Sequence, residues 1–122
     1  MQRVLIIEDN EQNMYLISFI LKKHGYSIIK AKNGMEGLNR AEAEAPDLII
    51  MDWQLPDIDG IEVTKRLRKI DTVKDIPIIF CTSNVLAGDK EKAYAAGATG
   101  YIEKPLDPTT FMDEIKKFIA ED

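Results

Sequence analysis

Short apolar segments rich in β-branched residues recur along the chain and alternate with segments of helical periodicity. Five of these apolar segments predict strands, at 4–7, 27–29, 48–51, 76–81 and 101–102. The first, third and fourth are apolar without alternation, which is typical of strands that helices cover on both faces. The hydrophobic pattern therefore favours a parallel sheet.

The segment after the first strand predicts the first helix. Met14, Ile17 and Leu21 fall at i, i+3 and i+7, on one face of this helix. Asn10 is suited to cap the N-terminus of the helix, and Gly25 is suited to end it. The spacing, the cap and the stop together predict a helix between these two residues.

Two further helices have weaker amphipathic patterns. The segment 34–45 is rich in Ala and Glu and ends before Pro46, which disfavours helical backbone in the residue that precedes it. The segment 87–96 is closed by Gly97, a residue type suited to a helix C-terminus. These two segments predict the second and fourth helices.

The third and fifth helices are marked by clear apolar faces. The face of the third contains Val63, Leu67 and Ile70. Asp107 is the predicted cap of the fifth helix, and Pro108 occupies its first turn. The apolar face of the fifth helix comprises Phe111, Ile115, Phe118 and Ile119. We expect this helix to run almost to the final residue.

The predicted order of elements is a strand followed by a helix, repeated five times. Right-handed crossovers then give an α/β fold with a doubly wound, five-stranded parallel sheet of the flavodoxin-like type and the strand order 2-1-3-4-5. A chain of 122 residues has room for about one domain, so we expect a single domain over 1–122.

Net charge and composition restrict the classes of function. Sixteen Lys and Arg residues against 21 Asp and Glu residues give a net charge of −5, the wrong sign for a nucleic-acid-binding surface. No apolar run is long enough for a membrane span, and the N-terminus does not resemble a signal peptide. The single cysteine, Cys81, fits a buried position in a reducing compartment. We therefore expect a cytoplasmic protein that binds neither nucleic acid nor a membrane.

Charged and polar side chains follow four of the predicted strands. Glu8 and Asp9 follow the first strand, and Asp52 follows the third. Thr82 follows the fourth strand, and Lys104 follows the fifth. An open parallel sheet binds its ligands outside the carboxyl ends of its strands, where the direction of winding changes. These five residues therefore form the candidate functional site.

Three carboxylates at adjacent strand ends repel one another unless a positive charge intervenes. A site of carboxylates, a backbone carbonyl and waters suits Mg²⁺. With such an ion on Glu8 and Asp9, Asp52 could act as a nucleophile toward phosphorus, while Lys104 and Thr82 contact the phosphoryl group. The alternative is that these acids are solvated loop residues, or that Asp9 only caps the first helix.

The motifs at these strand ends resemble those of the receiver domains of two-component response regulators, which have the CheY-like fold. The motifs are Glu8-Asp9-Asn10 after the first strand, the segment 51–60 (MDWQLPDIDG) after the third, Thr82-Ser83 after the fourth and Lys104-Pro105 after the fifth. All four occur in order, and the resemblance covers essentially the whole chain. The first two motifs are most similar to those of stand-alone DivK-type receivers and of receivers attached to hybrid kinases.

The resemblance implies a role for each acidic residue and for the lysine. It implies that Asp52 is the phosphoacceptor and that Lys104 is the counter-charge to the phosphate. It also implies that Glu8, Asp9 and Asp52 bind Mg²⁺ together with the backbone carbonyl of Gln54. By the same resemblance the chain is a receiver domain over 1–122 without an effector domain.

The resemblance further implies a conformational switch at the fourth and fifth strands. Thr82 would be the switch hydroxyl, and Tyr101 the aromatic residue that turns inward as Thr82 moves. The Lys104–Pro105 peptide bond is implied to be cis. Ser83 follows the switch threonine where a smaller residue is frequent, so it could narrow access to the phosphoacceptor.

The two amides Gln54 and Asn84 stand at positions that flank the hydrolytic water in receivers. Two other sets of residues have structural interpretations. The only histidine, His24, is expected at the end of helix 1. A solvated helix face is expected for the basic residues Lys65, Arg66, Arg68 and Lys69.

The function implied by the resemblance is a phosphorylation-dependent signalling switch. A sensor histidine kinase or a histidine phosphotransfer protein would donate a phosphoryl group to Asp52, and the acyl phosphate would bias two conformations. The protein would not be an enzyme, beyond assisting its own phosphorylation and dephosphorylation. We expect helix 1 to face the kinase. A downstream protein would bind the face of helix 4, strand 5 and helix 5, around Tyr94 and Tyr101.

Two alternatives belong to other classes of function. A phosphate-independent interaction module with a receiver-like fold would have a vestigial acidic pocket, and the complete set of site residues argues against it. A small phosphatase with an aspartyl nucleophile, similar to the haloacid dehalogenases, would carry an Asp-x-Asp motif after the first strand and a cap domain. The sequence contains neither feature.

Overall fold

The computed structural model describes residues 2–83 and 86–119. Within these residues, five strands alternate with five helices. The strands are β1 (Arg3–Ile7), β2 (Ser27–Ala31), β3 (Leu48–Met51), β4 (Ile78–Thr82) and β5 (Gly100–Glu103). The helices are α1 (Glu11–Lys23), α2 (Gly34–Glu44), α3 (Gly60–Leu67), α4 (Asp89–Ala96) and α5 (Phe111–Phe118).

The five strands form one parallel sheet with the order β2-β1-β3-β4-β5. This order confirms the predicted α/β, doubly wound, flavodoxin-like architecture. Ile7 of β1 pairs with Met51 of β3, which in turn pairs with Phe80 of β4. Because the central strands end nearly level with one another, the residues that follow them meet at one edge of the sheet.

Alternate residues of the central strands point into two separate apolar cores. Leu5 and Ile7 lie in the core between the sheet and helices α2, α3 and α4. Val4 and Ile6 lie in the core between the sheet and helices α1 and α5. All four side chains are fully buried. Burial of a side chain of this size stabilises the folded state by roughly 1.5–3 kcal/mol. Because both faces of β1 are buried, apolar and polar residues do not alternate along this strand.

Both ends of α1 and the C-terminal end of α4 agree with the predicted signals, whereas α4 begins at Asp89 and not at residue 87. Oδ1 of Asn10 accepts the N–H of Asn13 at 2.9 Å and caps α1. Gly25, at φ +90°, and Gly97, at φ +118°, follow α1 and α4 in the left-handed conformation that glycine adopts without strain. None of the described helices has the length and apolar character needed to cross a membrane.

The fifth helix is shorter than predicted. α5 begins at Phe111 rather than at Pro108, because the intervening residues form a separate turn. Asp107 stabilises that turn rather than the helix, since its Oδ1 accepts the N–H of Thr109 at 2.9 Å. α5 ends at Phe118, and residues 120–122 lie outside the described part of the chain.

The bounds of α3 and β4 also differ from the predicted ones. α3 ends at Leu67, so Ile70 lies in the turn that follows, although its side chain still packs against the core. β4 begins at Ile78 and continues to Thr82, whereas the apolar run predicted a strand over 76–81. The strand therefore includes the hydroxyl residue that was expected just beyond its end.

Arg68 does not lie on a solvated helix face, in contrast to the prediction for the basic cluster. Its side chain is half-buried. The guanidinium donates hydrogen bonds to the carbonyl oxygens of Gly97, Lys74 and Ile76, at 2.6–2.9 Å. Arg68 thus joins the end of α3 to the C-terminus of α4 and to the loop before β4.

Candidate functional site

Three acidic side chains converge at the carboxyl ends of β1 and β3. Asp52 directly follows β3, and its backbone N–H donates to the carbonyl of Ile7 at 3.0 Å, which aligns it with Glu8 and Asp9 after β1. One carboxylate oxygen of each acid lies within 4.8 Å of the others. Glu8 is 2% exposed and Asp52 is 8% exposed, whereas Asp9 faces solvent. The structure brings the three predicted acids together.

Lys104 lies beside the two buried acids. Its Nζ is 2.7 Å from Oε1 of Glu8 and 3.6 Å from Oδ1 of Asp52. The backbone N–H of Lys104 donates to the carbonyl of Thr82 at 2.9 Å, which ties the loop after β5 to the end of β4. The Lys104–Pro105 peptide bond is cis, as the resemblance implied. Lys104 thus forms ion pairs with both buried carboxylates.

The pKa of Asp52 is raised from 3.8 to about 7, and burial of the carboxylate is the largest cause. The carboxylate of Glu8 acts in the same direction, through charge repulsion and through a hydrogen bond. The ammonium of Lys104 and a backbone hydrogen bond from Trp53 act in the opposite direction without cancelling the rise. The Asp52 carboxylate is therefore harder to ionise than a solvated one, and a cation beside it would favour its charged form.

The donor atoms of this cluster fit Mg²⁺. Carboxylate oxygens are the hard ligands that this ion prefers, and a divalent ion among them would offset their mutual repulsion. Gln54 lines the same cavity as the three acids, and this cavity has a volume of about 360 Å³. The position of Gln54 is therefore compatible with the carbonyl ligand that the resemblance implied.

The loop between β3 and α3 folds tightly back onto Asp52. The N–H of Gly60 donates to the carbonyl of Trp53 at 2.7 Å. A Cβ atom at position 60 would collide with the carbonyl of Asp52, so this approach requires glycine. Oδ1 of Asp59 accepts the N–H of Glu62 at 2.9 Å and caps α3. The phosphoacceptor implied by the resemblance thus lies directly against the first turn of α3.

Thr82 and Tyr101 lie on the β4–β5 side of the site. Thr82 is buried, lines the same cavity as the acids, and donates from Oγ1 to the carbonyl of Ser83 at 3.1 Å. Tyr101 is buried, with Nζ of Lys90 5.9 Å from its ring centroid, and its hydroxyl has no hydrogen-bond partner among the described residues. The ring is in an inward position, and its movement stays a prediction.

Several residues discussed from the sequence take no part in the cluster. Nδ1 of His24 lies 2.9 Å from the carbonyl of Ile20, at the end of α1 as predicted. Cys81 is buried in β4, and this burial raises the pKa of its thiol. Ser83 is exposed at the rim of the cavity, and Asn84 lies outside the described residues.

Asp57 makes a contact that the sequence analysis missed. Its Oδ1 accepts the N–H of Gly34 at 2.7 Å, and its Oδ2 accepts the N–H of Met35 at 2.9 Å. Burial acts to raise the pKa of Asp57, but these backbone donors outweigh it and the pKa is lowered. The strand order places the loop after β3 near the start of α2, and this was the signal that could have indicated the contact.

The chain is similar to proteins of known family over almost its whole length. The family model for the response regulator receiver domain matches residues 4–116. The polar-differentiation response regulator DivK of Brucella anthropi is 41% identical over 118 residues, which cover 97% of this chain and 96% of the relative. DivK of Brucella ovis is 39% identical with the same coverage.

Solved structures with the same fold include a chemotaxis protein and the receiver domain of a sensor histidine kinase. The chemotaxis protein CheY4 of Vibrio cholerae has a TM-score of 0.92 and 30% identity, over 98% of this chain and 99% of that one. The receiver domain of the sensor histidine kinase PA1611 of Pseudomonas aeruginosa, with a magnesium ion coordinated in its active site cleft, has a TM-score of 0.87 and 32% identity. That match covers 96% of each chain. Because the family model and these relatives match nearly the entire sequence, the chain belongs to the family of response regulator receiver domains of two-component signalling.

Proposed function

We propose that this chain is a single-domain response regulator that accepts a phosphoryl group on Asp52 and signals through protein–protein contact. The observation that carries this proposal is the position of the buried Asp52 carboxylate between two other acids and the Lys104 ammonium. Similarity to DivK over 96% of the length of that relative supports a stand-alone receiver over 1–122.

The Asp52 carboxylate supplies the nucleophile for this transfer. One of its oxygens attacks the phosphorus of a phosphohistidine, an O–P bond forms, and the N–P bond breaks as the histidine nitrogen leaves with the electron pair. Lys104, 3.6 Å from Oδ1, can then hold an oxygen of the transferred group. Thr82 lines the same cavity, and its hydroxyl can donate to a second oxygen.

We propose that Mg²⁺ occupies this site, held by the carboxylates of Glu8, Asp9 and Asp52 and by the carbonyl of Gln54. When bound, the ion would neutralise negative charge on the carboxylates and on the phosphoryl group. The excess of negative charge that contributes to the raised pKa of Asp52 supports a cation at this position. A magnesium ion in the active site cleft of the similar PA1611 receiver supports it as well.

The exposed surface of α1 supports a role for this helix in binding the phosphodonor. Tyr15 is 70% exposed and Phe19 is 53% exposed, and their rings stack with centroids 6.3 Å apart. An exposed apolar patch of this kind marks an interaction surface. Tyr15 also lines a cavity of about 220 Å³ with Glu8 and Asp9, so the patch adjoins the site. We propose that a sensor histidine kinase or a histidine phosphotransfer protein binds here.

The face formed by α4, β5 and α5 is the proposed output surface. Tyr94 is exposed on α4, while Tyr101 of β5 lies buried beneath Lys90. Thr82 connects this region to the site, since it ends β4 and lines the cavity around Asp52. Movement of Thr82 toward a phosphoryl group would change the space available to Tyr101, and a downstream protein would bind the altered face.

Mass spectrometry of the protein treated with acetyl phosphate tests the proposal. With Mg²⁺ present, we expect the intact mass to increase by one phosphoryl group. Hydroxylamine, which cleaves acyl phosphates, should remove this gain, and a chelator added before acetyl phosphate should prevent it. Asp52→Asn should remain unlabelled, because an amide oxygen does not provide the nucleophile. Labelling of this variant would assign the phosphoacceptor elsewhere, and an unlabelled wild-type chain would favour a phosphate-independent module.

Trp53 provides a second measurement of the same chemistry. Its indole is half-buried and packs edge-on against Phe80 with ring centroids 5.7 Å apart, directly after Asp52 in the chain. We expect its fluorescence to change on addition of Mg²⁺ and again on addition of acetyl phosphate. A signal that responds to neither addition contradicts the proposal.

A further inference from the structure

The N-terminus of α2 is capped by a residue from another part of the chain. The carboxylate of Asp57 accepts hydrogen bonds from the N–H groups of both Gly34 and Met35, at 2.7 and 2.9 Å. A carboxylate at this end of a helix is stabilised by the free N–H groups and by the helix dipole. These bonds connect the loop between β3 and α3 to α2, across 22 or 23 residues of sequence.

The loop and the helix also approach each other closely at this contact. A Cβ atom at Gly34 would lie 3.0 Å from the carbonyl oxygen of Ile58, so the absence of a side chain there permits the approach. Asn33 caps the same helix from within its own segment, because its Oδ1 accepts the N–H of Glu36 at 2.8 Å. α2 therefore has a local cap, and the bonds to Asp57 serve in addition to it.

The segment held by Asp57 contains the proposed carbonyl ligand. The loop leaves the sheet at Asp52, whose backbone N–H is bonded to β1, and Asp57 anchors the loop again five residues later. Gln54 lies between these two anchors and lines the cavity around the acids. Loss of the second anchor would give the intervening backbone more conformational freedom, and the carbonyl would be less well positioned.

We infer that Asp57 is a positioning residue for the proposed Mg²⁺ site: by bonding to the N-terminus of α2, it holds the backbone of Gln54 in the position that the metal requires. This inference rests on the proposed function, in which Mg²⁺ binds the three acids and this carbonyl. Asp57 itself contacts α2 and is not proposed as a ligand.

The test compares Asp57→Ala with Asn33→Ala in Mg²⁺ titrations followed by Trp53 fluorescence and by calorimetry. Asn33→Ala removes a cap from the same helix without releasing the loop, so it controls for a purely structural role of Asp57. We expect Asp57→Ala to weaken Mg²⁺ binding about tenfold, the low end of the range for groups that orient metal ligands. Asn33→Ala should bind within about twofold of wild type.

Three further measurements separate positioning from the loss of a charge. A charge effect acts through solvent and is largely screened at about 1 M salt, whereas a positional effect persists there. Asp57→Asn keeps one acceptor oxygen and should show an intermediate loss of affinity. Amide hydrogen exchange of residues 53–58 in metal-free protein should be faster in Asp57→Ala and unchanged in Asn33→Ala.

Three results would overturn the inference: unchanged Mg²⁺ affinity in Asp57→Ala, an equal loss in Asn33→Ala, or a loss that disappears at high salt. The wild-type protein distinguishes this failure from failure of the proposed function. A wild-type chain that binds Mg²⁺ and is phosphorylated, beside an Asp57→Ala variant that binds normally, contradicts the positioning role alone. A wild-type chain that does not bind Mg²⁺ contradicts both.

Discussion

The buried carboxylates of the site reduce the folding stability of the metal-free protein when they are ionised. Glu8 and Asp52 are both almost completely buried, and Lys104 forms ion pairs with each of them. Burial of Asp52, with repulsion from Glu8 as the second cause, outweighs the effect of this ammonium and raises the pKa of Asp52 to about 7. Substitutions in this cluster should therefore change folding stability as well as function.

Replacement of Asp52 by Asn should stabilise the metal-free protein at high pH. Because the pKa of Asp52 is raised from 3.8 to about 7, the native state binds its proton more tightly than the unfolded state does. The stability due to protonated Asp52 is therefore present below pH 4 and is lost as the pH rises through about 7. Asn does not titrate, so the variant should be more stable than wild type by on the order of 2–4 kcal/mol at high pH.

Urea unfolding with a chelator present, at about pH 5 and about pH 8, checks this expectation. The difference in the free energy of unfolding between Asp52→Asn and wild type should be larger at the higher pH. An Asn variant that is less stable than wild type at the higher pH would contradict the raised pKa.

Removal of the ammonium should have the opposite effect on stability. Lys104→Ala leaves Glu8 and Asp52 buried without their ion-pair partner, and we expect a loss of about 2–4 kcal/mol in the metal-free protein. The loss of stability caused by Lys104→Ala should be smaller when Glu8 is also replaced by Gln, because a neutral amide does not require an ammonium partner. Mg²⁺ binding should persist in Lys104→Ala, while phosphorylation by acetyl phosphate should be weakened. Full phosphorylation of this variant would contradict the role proposed for the lysine.

Helices and loops are joined around the site by side chains that bond to backbone groups of other elements. Asp57 connects the β3–α3 loop to α2, and Arg68 connects the end of α3 to α4. The α3 helix itself is short, and α4 has only Ala93 and Ala96 buried. The long-range hydrogen bonds of Arg68 therefore contribute to holding α4 in place.

Arg68→Ala should destabilise the protein more than substitution of Arg66, which lies two residues earlier, in the last turn of α3. The substitution leaves the carbonyl of Gly97 and two loop carbonyls without their charged donor, and we expect a loss of about 2–3 kcal/mol. Arg66→Ala is the matched control, because its ion pair with Glu62 is exposed and should contribute less than about 0.5 kcal/mol. Equal losses in the two variants, measured by urea unfolding, would show that Arg68 does not have this bridging role.

The whole molecule should be stabilised by the ion that its site fits. Mg²⁺ that binds only the native state adds about 2.7 kcal/mol at 100 times its Kd. We therefore expect the Tm to rise with Mg²⁺ and to return to its initial value on chelation. Asp9→Asn removes a proposed ligand that faces solvent, so it should reduce the rise in Tm with little change in the metal-free Tm. A Tm that does not depend on Mg²⁺ would contradict the proposed metal site.

Much of the architecture could be predicted from local hydrophobic patterns. Apolar runs such as 48–51 predicted the strands, and right-handed crossovers between parallel strands left one strand order as the expected one. The candidate site followed from that order, because the carboxyl ends of parallel strands meet at one edge. Glu8, Asp9, Asp52 and Lys104 were therefore predicted as a cluster, and the structure brings these residues together.

Contacts between loops did not follow from those patterns. The bonds from Asp57 to α2 and from Arg68 to Gly97 join residues more than 20 positions apart, and no local hydrophobic pattern around either residue indicates its partner. The raised pKa of Asp52 also depends on burial, which no sequence position specifies without the packing around it. Hydrophobic periodicity is a local property and specifies elements and their order. Side-chain hydrogen bonds and electrostatic shifts depend on distances that exist only once the elements have packed.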